Sequence, residues 1–129
     1  MANVLIVGGG FAGLIAAERL APVLGAEHQI TLVSPSRRFT FYPALVELAL
    51  GQCEVSDITF DLGAKLAQLG VRYVEGELLR VHGGRQRVEI TGDDVAGEIG
   101  YDRLLLAPGR RLATEKVRGF FEYSHHMLG

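Results

Sequence analysis

The stretch VLIVGGGFAGLIAAERLAPVLGAEHQITLVS, from Val4 to Ser34, decides the fold. Val4-Leu5-Ile6-Val7 is a short unbroken apolar run, as expected of a strand buried on both faces of a parallel sheet. Gly8-Gly9-Gly10 ends it. Phe11, Leu14, Ile15, Ala17 and Leu20 then mark a helical stripe, with Glu18 and Arg19 on the open side, Pro22 disturbing the last turn and Gly25 closing it. Ile30-Thr31-Leu32-Val33 is a second β-branched strand, ended by Ser34-Pro35-Ser36. Together these segments read as one βαβ unit.

Between the first strand and the helix lies Gly8-x-Gly10-x-x-Gly13. The spacing has a mechanical reason: the first glycine allows a tight turn, the second lets a pyrophosphate approach the backbone, and the third lets helix and strand pack closely. Free N–H groups and the positive end of the helix dipole then face the phosphates. A glycine turn without a ligand is the plainer alternative, but the strand before, the helix after and the second strand at the right distance favour a dinucleotide. In such units an acid about 20 residues on takes the adenosine ribose. Here that place holds Ser34, followed closely by Arg37 and Arg38, so charge alone does not bar a 2′-phosphate.

The chain's 129 residues suffice for one domain with a real core, and 48% apolar with 22% charged residues is ordinary globular composition. A net charge of −2 argues against a nucleic-acid module. Cys53 is the sole cysteine, which excludes an internal disulfide, a redox cysteine pair and a multi-cysteine metal site. No apolar run reaches the ~18–20 residues of a membrane span, and the N-terminus lacks a basic signal-like region. A cytoplasmic, reducing setting is the expectation. The 17 glycines are about twice the usual share.

Beyond Ser34, Arg37–Pro43 reads as an aromatic-rich loop, Ala44–Leu50 as a short helix and Asp57–Leu69 as another. A strand from Val71 runs on to Val81, and with Arg87–Ile90 and Glu98–Tyr101 it suggests an antiparallel meander. Leu104–Ala107 is a further apolar strand before Pro108-Gly109, and the remainder is unpatterned. His125-His126 reads as a surface pair rather than a metal site, Asp93-Asp94 as a solvated turn, and Arg110-Arg111 equally as a phosphate contact or surface charge. No residue reads as a general base, a nucleophile or a metal ligand. The fold class is α/β, a Rossmann-like parallel sheet with a small antiparallel β-meander, expected to be an incomplete domain over residues 1–129.

Val4 to Leu14 resembles the opening of the two-dinucleotide-domain flavoproteins of the pyridine nucleotide-disulfide oxidoreductase superfamily. The resemblance is to the type II NADH:quinone dehydrogenases and their sulfide:quinone oxidoreductase relatives. ITLVSPSRRFTFYPALVELALG, Ile30 to Gly51, is similar to the stretch along the FAD ribose and ribityl chain. Val74-Glu75-Gly76-Glu77-Leu78 is similar to the strand that contacts the adenine, and Tyr101 to Gly109 resembles the second fingerprint beside FAD. The resemblance implies FAD as cofactor, bound by Gly8, Gly9, Gly10, Phe11, Ala12, Gly13, Ser34, Pro35, Phe39, Pro43, Leu78, Ala107 and Gly109. It implies that hydride passes from NAD(P)H to FAD and electrons then to a quinone, in a protein held at most peripherally on the inner face of the plasma membrane. Arg38 departs from the pattern, standing where many members carry an aromatic. The family protein is longer, with a second glycine motif for NAD(P)H, so this chain is expected to be an N-terminal fragment, inactive alone, with an exposed sheet edge open to homodimer formation. Other readings are a stand-alone dinucleotide-binding module, a sulfide:quinone oxidoreductase fragment and an NAD(P)-binding dehydrogenase domain.

Overall fold

The computed structural model describes residues 1–92, 97–110 and 113–125. Asp93, Asp94, Arg111 and His126 lie outside the described residues. The chain divides into two compact units, Met1–Phe39 with Asp61–Pro108, and Thr40–Phe60 with Gly109–Gly129.

In the first unit, β1 (Asn3–Val7) lies inside a four-stranded sheet and pairs in parallel with β2 (Gln29–Ser34) on one side and β9 (Arg103–Leu106) on the other. β2 pairs in parallel with β5 (Arg72–Glu75), giving the order β5-β2-β1-β9. The pleat sends successive side chains to opposite faces, so β1 and β2 each serve two cores. Ile6, Ile30 and Leu32 pack with Leu14 and Ala17 of α1 (Phe11–Leu24) and with Leu62 and Leu66 of α4 (Leu62–Gln68). Leu5, Val7, Val33 and Val74 pack with Val88 and Ile90. The last two belong to an antiparallel meander of β6 (Glu77–His82), β7 (Arg87–Thr91) and β8 (Gly97–Gly100). The expected α/β class, a Rossmann-like parallel sheet with an antiparallel meander, is what the unit shows.

Four local expectations are corrected. Ile15 is half-exposed, so the buried face of α1 is the narrower set Gly13, Leu14 and Ala17, and the helix runs through Pro22 to Leu24. The Arg37–Pro43 loop contains β3 (Arg38–Thr40), which forms a two-stranded sheet with β4 (Thr59–Asp61). β4 interrupts the helix expected over Asp57–Leu69: the chain makes α3 (Val55–Ile58), one short strand, and then α4, whose first turn Asp61 caps by accepting from the Ala64 N–H at 2.7 Å. The strand expected from Val71 to Val81 breaks at Gly76, where the backbone passes from the parallel sheet to the meander. The Gly76 N–H donates to the Ser34 carbonyl at 3.0 Å, and a side chain there would press on Thr91 and Ile90.

The second unit carries α2 (Leu45–Ala49), stopped at Gly51, then α3 with a reciprocal cap between Glu54 and Asp57, and α5 (Phe120–Tyr123). No helix among the described residues is long and apolar enough to cross a membrane.

Candidate functional site

The glycine loop joins the end of β1 to the start of α1, and each glycine has a different reason to be there. Gly8 takes φ +117, a conformation that strains any side chain, and a Cβ on it would fall 1.8 Å from the Ala107 carbonyl oxygen. The loop therefore passes directly over the end of β9, where the Ala107 N–H donates to the Val7 carbonyl at 2.7 Å. A Cβ on Gly13 would stand 1.8 Å from the Gly8 carbonyl oxygen, which is how α1 closes onto the strand. Gly9 has its α-carbon turned toward Ser34 and Leu62, each 2.6 Å from where a Cβ would sit. Gly10 alone faces open space, with nothing within 4 Å of its Cβ position.

Gly10 is also the N-cap of α1, and no side chain caps the helix. Helix geometry leaves the N–H groups of the first turn without intrahelical acceptors. No acidic side chain lies in that turn to compete for the positive end of the dipole. Open space at Gly10, a helix start that no side chain caps and the close-packed glycines Gly8, Gly9 and Gly13 fit the pyrophosphate of a dinucleotide.

The expected site residues fall out as follows. Gly8, Gly9, Gly10, Phe11, Ala12 and Gly13 form the loop and first helical turn. Ser34 ends β2 beside Gly9, is buried, and its Oγ donates to the Ser36 carbonyl at 3.1 Å. Pro35 follows, exposed. Phe39 is buried in the helix-side core, its ring edge-on to Phe11 at 5.2 Å between centroids. Leu78 is half-buried on β6, two residues beyond the Gly76 tied to Ser34, and packs on the meander-side core. Ala107 borders Gly8. Pro43 and Gly109 belong to the second unit, Pro43 in a 3₁₀ turn over Tyr42–Ala44 and Gly109 at φ +77.

A further group beside Ser34 was not legible as a site. The Arg37 Nε donates to both carboxylate oxygens of Asp61, at 2.9 and 3.2 Å. The guanidinium stands 5.6 Å over the Tyr73 ring, and the Tyr73 hydroxyl donates to the Ser34 carbonyl at 3.2 Å. The Ala64 N–H first and Arg37 second hold the Asp61 carboxyl below the usual carboxylate range. A group whose pKa is lowered by folding stabilises above its unfolded pKa of about 4 and loses that contribution as pH falls through the folded value. Asp61→Asn is therefore expected to melt earlier than the natural chain at pH 7. The difference should shrink below pH about 4, and thermal melts at both pH values check it.

Elsewhere, the His28 Nδ1 accepts from the Ala2 N–H, and the His82 Nε2 lies 3.5 Å from Glu89. Partial burial first, then Glu47, Asp57 and Glu54, push the Cys53 thiol up, away from thiolate. No group of three or more metal-ligating side chains occurs among the described residues.

A model of the pyridine nucleotide-disulphide oxidoreductase family matches residues 2–128. The chain is 34% identical, over 93% of its length, to an alternative NAD(P)H-ubiquinone oxidoreductase of Arabidopsis thaliana, of which it covers 26%. It is 30% identical, over 94% of its length, to a demethylphylloquinone reductase of Synechocystis sp., of which it covers 31%. Among solved structures it is similar to the sulfide:quinone oxidoreductase of Aquifex aeolicus, with a TM-score of 0.84 and 27% identity over 96% of this chain and 28% of that one. The chain thus spans between a quarter and a third of the length of these relatives.

Proposed function

The chain belongs to the pyridine nucleotide-disulphide oxidoreductase family, and from that premise we propose that residues 1–129 are the FAD-binding part of an NAD(P)H:quinone oxidoreductase. The observation that carries the reading is the glycine loop, with open space at the Gly10 Cβ position and a helix start that no side chain caps behind it. Gly8 to Gly13 would hold the pyrophosphate, Ser34 and Pro35 the adenosine ribose, and Leu78 the adenine. Ala107, beside Gly8, would border the remainder of the cofactor. FAD, when bound, supplies the two-electron redox chemistry that links a nicotinamide donor to a quinone.

The protein's own contribution is positional. The first-turn N–H groups of α1 stabilise the phosphate charge, and the end of β9 keeps the loop in shape. Relatives named for quinones support a quinone as acceptor. A relative named for NAD(P)H supports NAD(P)H as donor. We take the whole protein to be cytoplasmic or peripheral at the inner membrane face.

Calorimetric titration of the purified chain with FAD, and with NADH as competitor, tests the reading. The expected result is FAD binding that NADH does not displace. Preference for NADH, or no FAD binding by a folded chain, would overturn it.

A further inference from the structure

The strand end that normally carries an acid against the ribose carries Ser34, which has no charge to repel a 2′-phosphate. Arg37, three residues on, is the residue type that accommodates such a phosphate in dinucleotide-binding folds. Contacts through adjacent residues of α4 link it to the glycine loop. The Cβ position of Gly9 meets Ser34 and Leu62, and that of Gly63, next along α4, stands 2.7 Å from the Arg37 Cζ and Nη2. The guanidinium is therefore wedged against a glycine surface of α4, lies over Tyr73, and is bound through Nε by both oxygens of Asp61.

We propose that Asp61 is a specificity-determining residue for the adenosine ribose: by engaging Arg37 it withholds the cation that a 2′-phosphate would need, and so selects an unphosphorylated dinucleotide. The inference rests on the dinucleotide-binding reading of the glycine loop. Arg38 does not substitute for Arg37. Alternation along β3 turns it away from the side of Phe39, whose ring meets Phe11 at the start of α1. An exposed ion pair alone is weakly held. The Gly63 surface and the Tyr73 ring keep this one in a single place, so less side-chain freedom opposes it.

The test measures AMP and adenosine 2′,5′-bisphosphate, each as a competitor of FAD, on the natural chain and on Asp61→Asn. Asparagine still caps α4 but carries no charge. The natural chain should prefer AMP. In Asp61→Asn the bisphosphate should gain about tenfold relative to AMP, as a charge-assisted bond to the released arginine allows, and the gain should fade in high salt. The double variant Asp61→Asn/Arg37→Gln should lose the gain. Arg37→Gln alone leaves the Asp61 carboxylate unneutralised and should weaken the bisphosphate further, which provides a reading even if Asp61→Asn folds poorly. An unchanged ratio in Asp61→Asn, or a gain that survives in the double variant, overturns the inference while FAD and AMP binding leave the cofactor reading intact. Failure of FAD and AMP alike to bind the folded natural chain overturns both.

Discussion

Gly8→Ala is expected to unfold much of the first unit at temperatures where the natural chain is intact. The new methyl would stand 1.8 Å from the Ala107 carbonyl oxygen, a backbone atom that no rotamer change can move. Relief requires pushing the end of β9 off β1, which breaks the bond from the Ala107 N–H to Val7. The positive φ adds roughly 1–2 kcal/mol of backbone strain, and overpacking adds about 1–3. A total on the order of 2–5 kcal/mol is a large share of the ~5–15 kcal/mol that holds a domain together. A thermal melt should fall by on the order of 10–20 °C. Gly13→Ala should behave alike, because its methyl meets the Gly8 carbonyl oxygen at the same distance. A melting temperature within a few degrees of the natural one would mean that the loop does not sit against β9 as described.

Gly10→Val separates binding from folding. Its backbone, at φ −83 and ψ −163, is one that any residue adopts, and its Cβ position is open. The cost to the helix start is about 1 kcal/mol or less, the difference between glycine and an apolar residue at an N-cap. The added side chain would occupy the open space where we propose the pyrophosphate lies and hold it away from the first-turn N–H groups. FAD affinity should fall at least tenfold, about 1.4 kcal/mol, while the melting temperature of the free chain stays nearly unchanged. An unaltered FAD affinity in a folded Gly10→Val chain would remove the glycine loop from the binding site. The contrast with Gly8→Ala is the sharper result, since two glycines two positions apart are expected to fail for unrelated reasons.

What was legible in the sequence is what neighbouring residues settle among themselves. The unbroken apolar run of β1, the helical stripe after Gly10, the glycine stops at Gly25, Gly51 and Gly70, and the alternation through Val88 and Ile90 all report local periodicity and backbone freedom. They specified a βαβ unit, a meander and a tight glycine loop. Local pattern failed where two tendencies overlapped. Thr59–Asp61 has helix on both sides yet forms β4, and strand-like residues on both sides of Gly76 hid the change of sheet there.

Ser34, Gly9 and Leu62 meet only because the sheet order sets β2 beside β1 and α4 packs on the same face. Arg37 finds Asp61, 24 residues away, and Tyr73 reaches back 39 residues to the Ser34 carbonyl. Residue type and spacing showed a glycine loop after β1 and two arginines just past the end of β2. Which arginine is engaged, and by what, depends on distances across separate elements, and those exist only once the sheet has closed and the helices have packed against it.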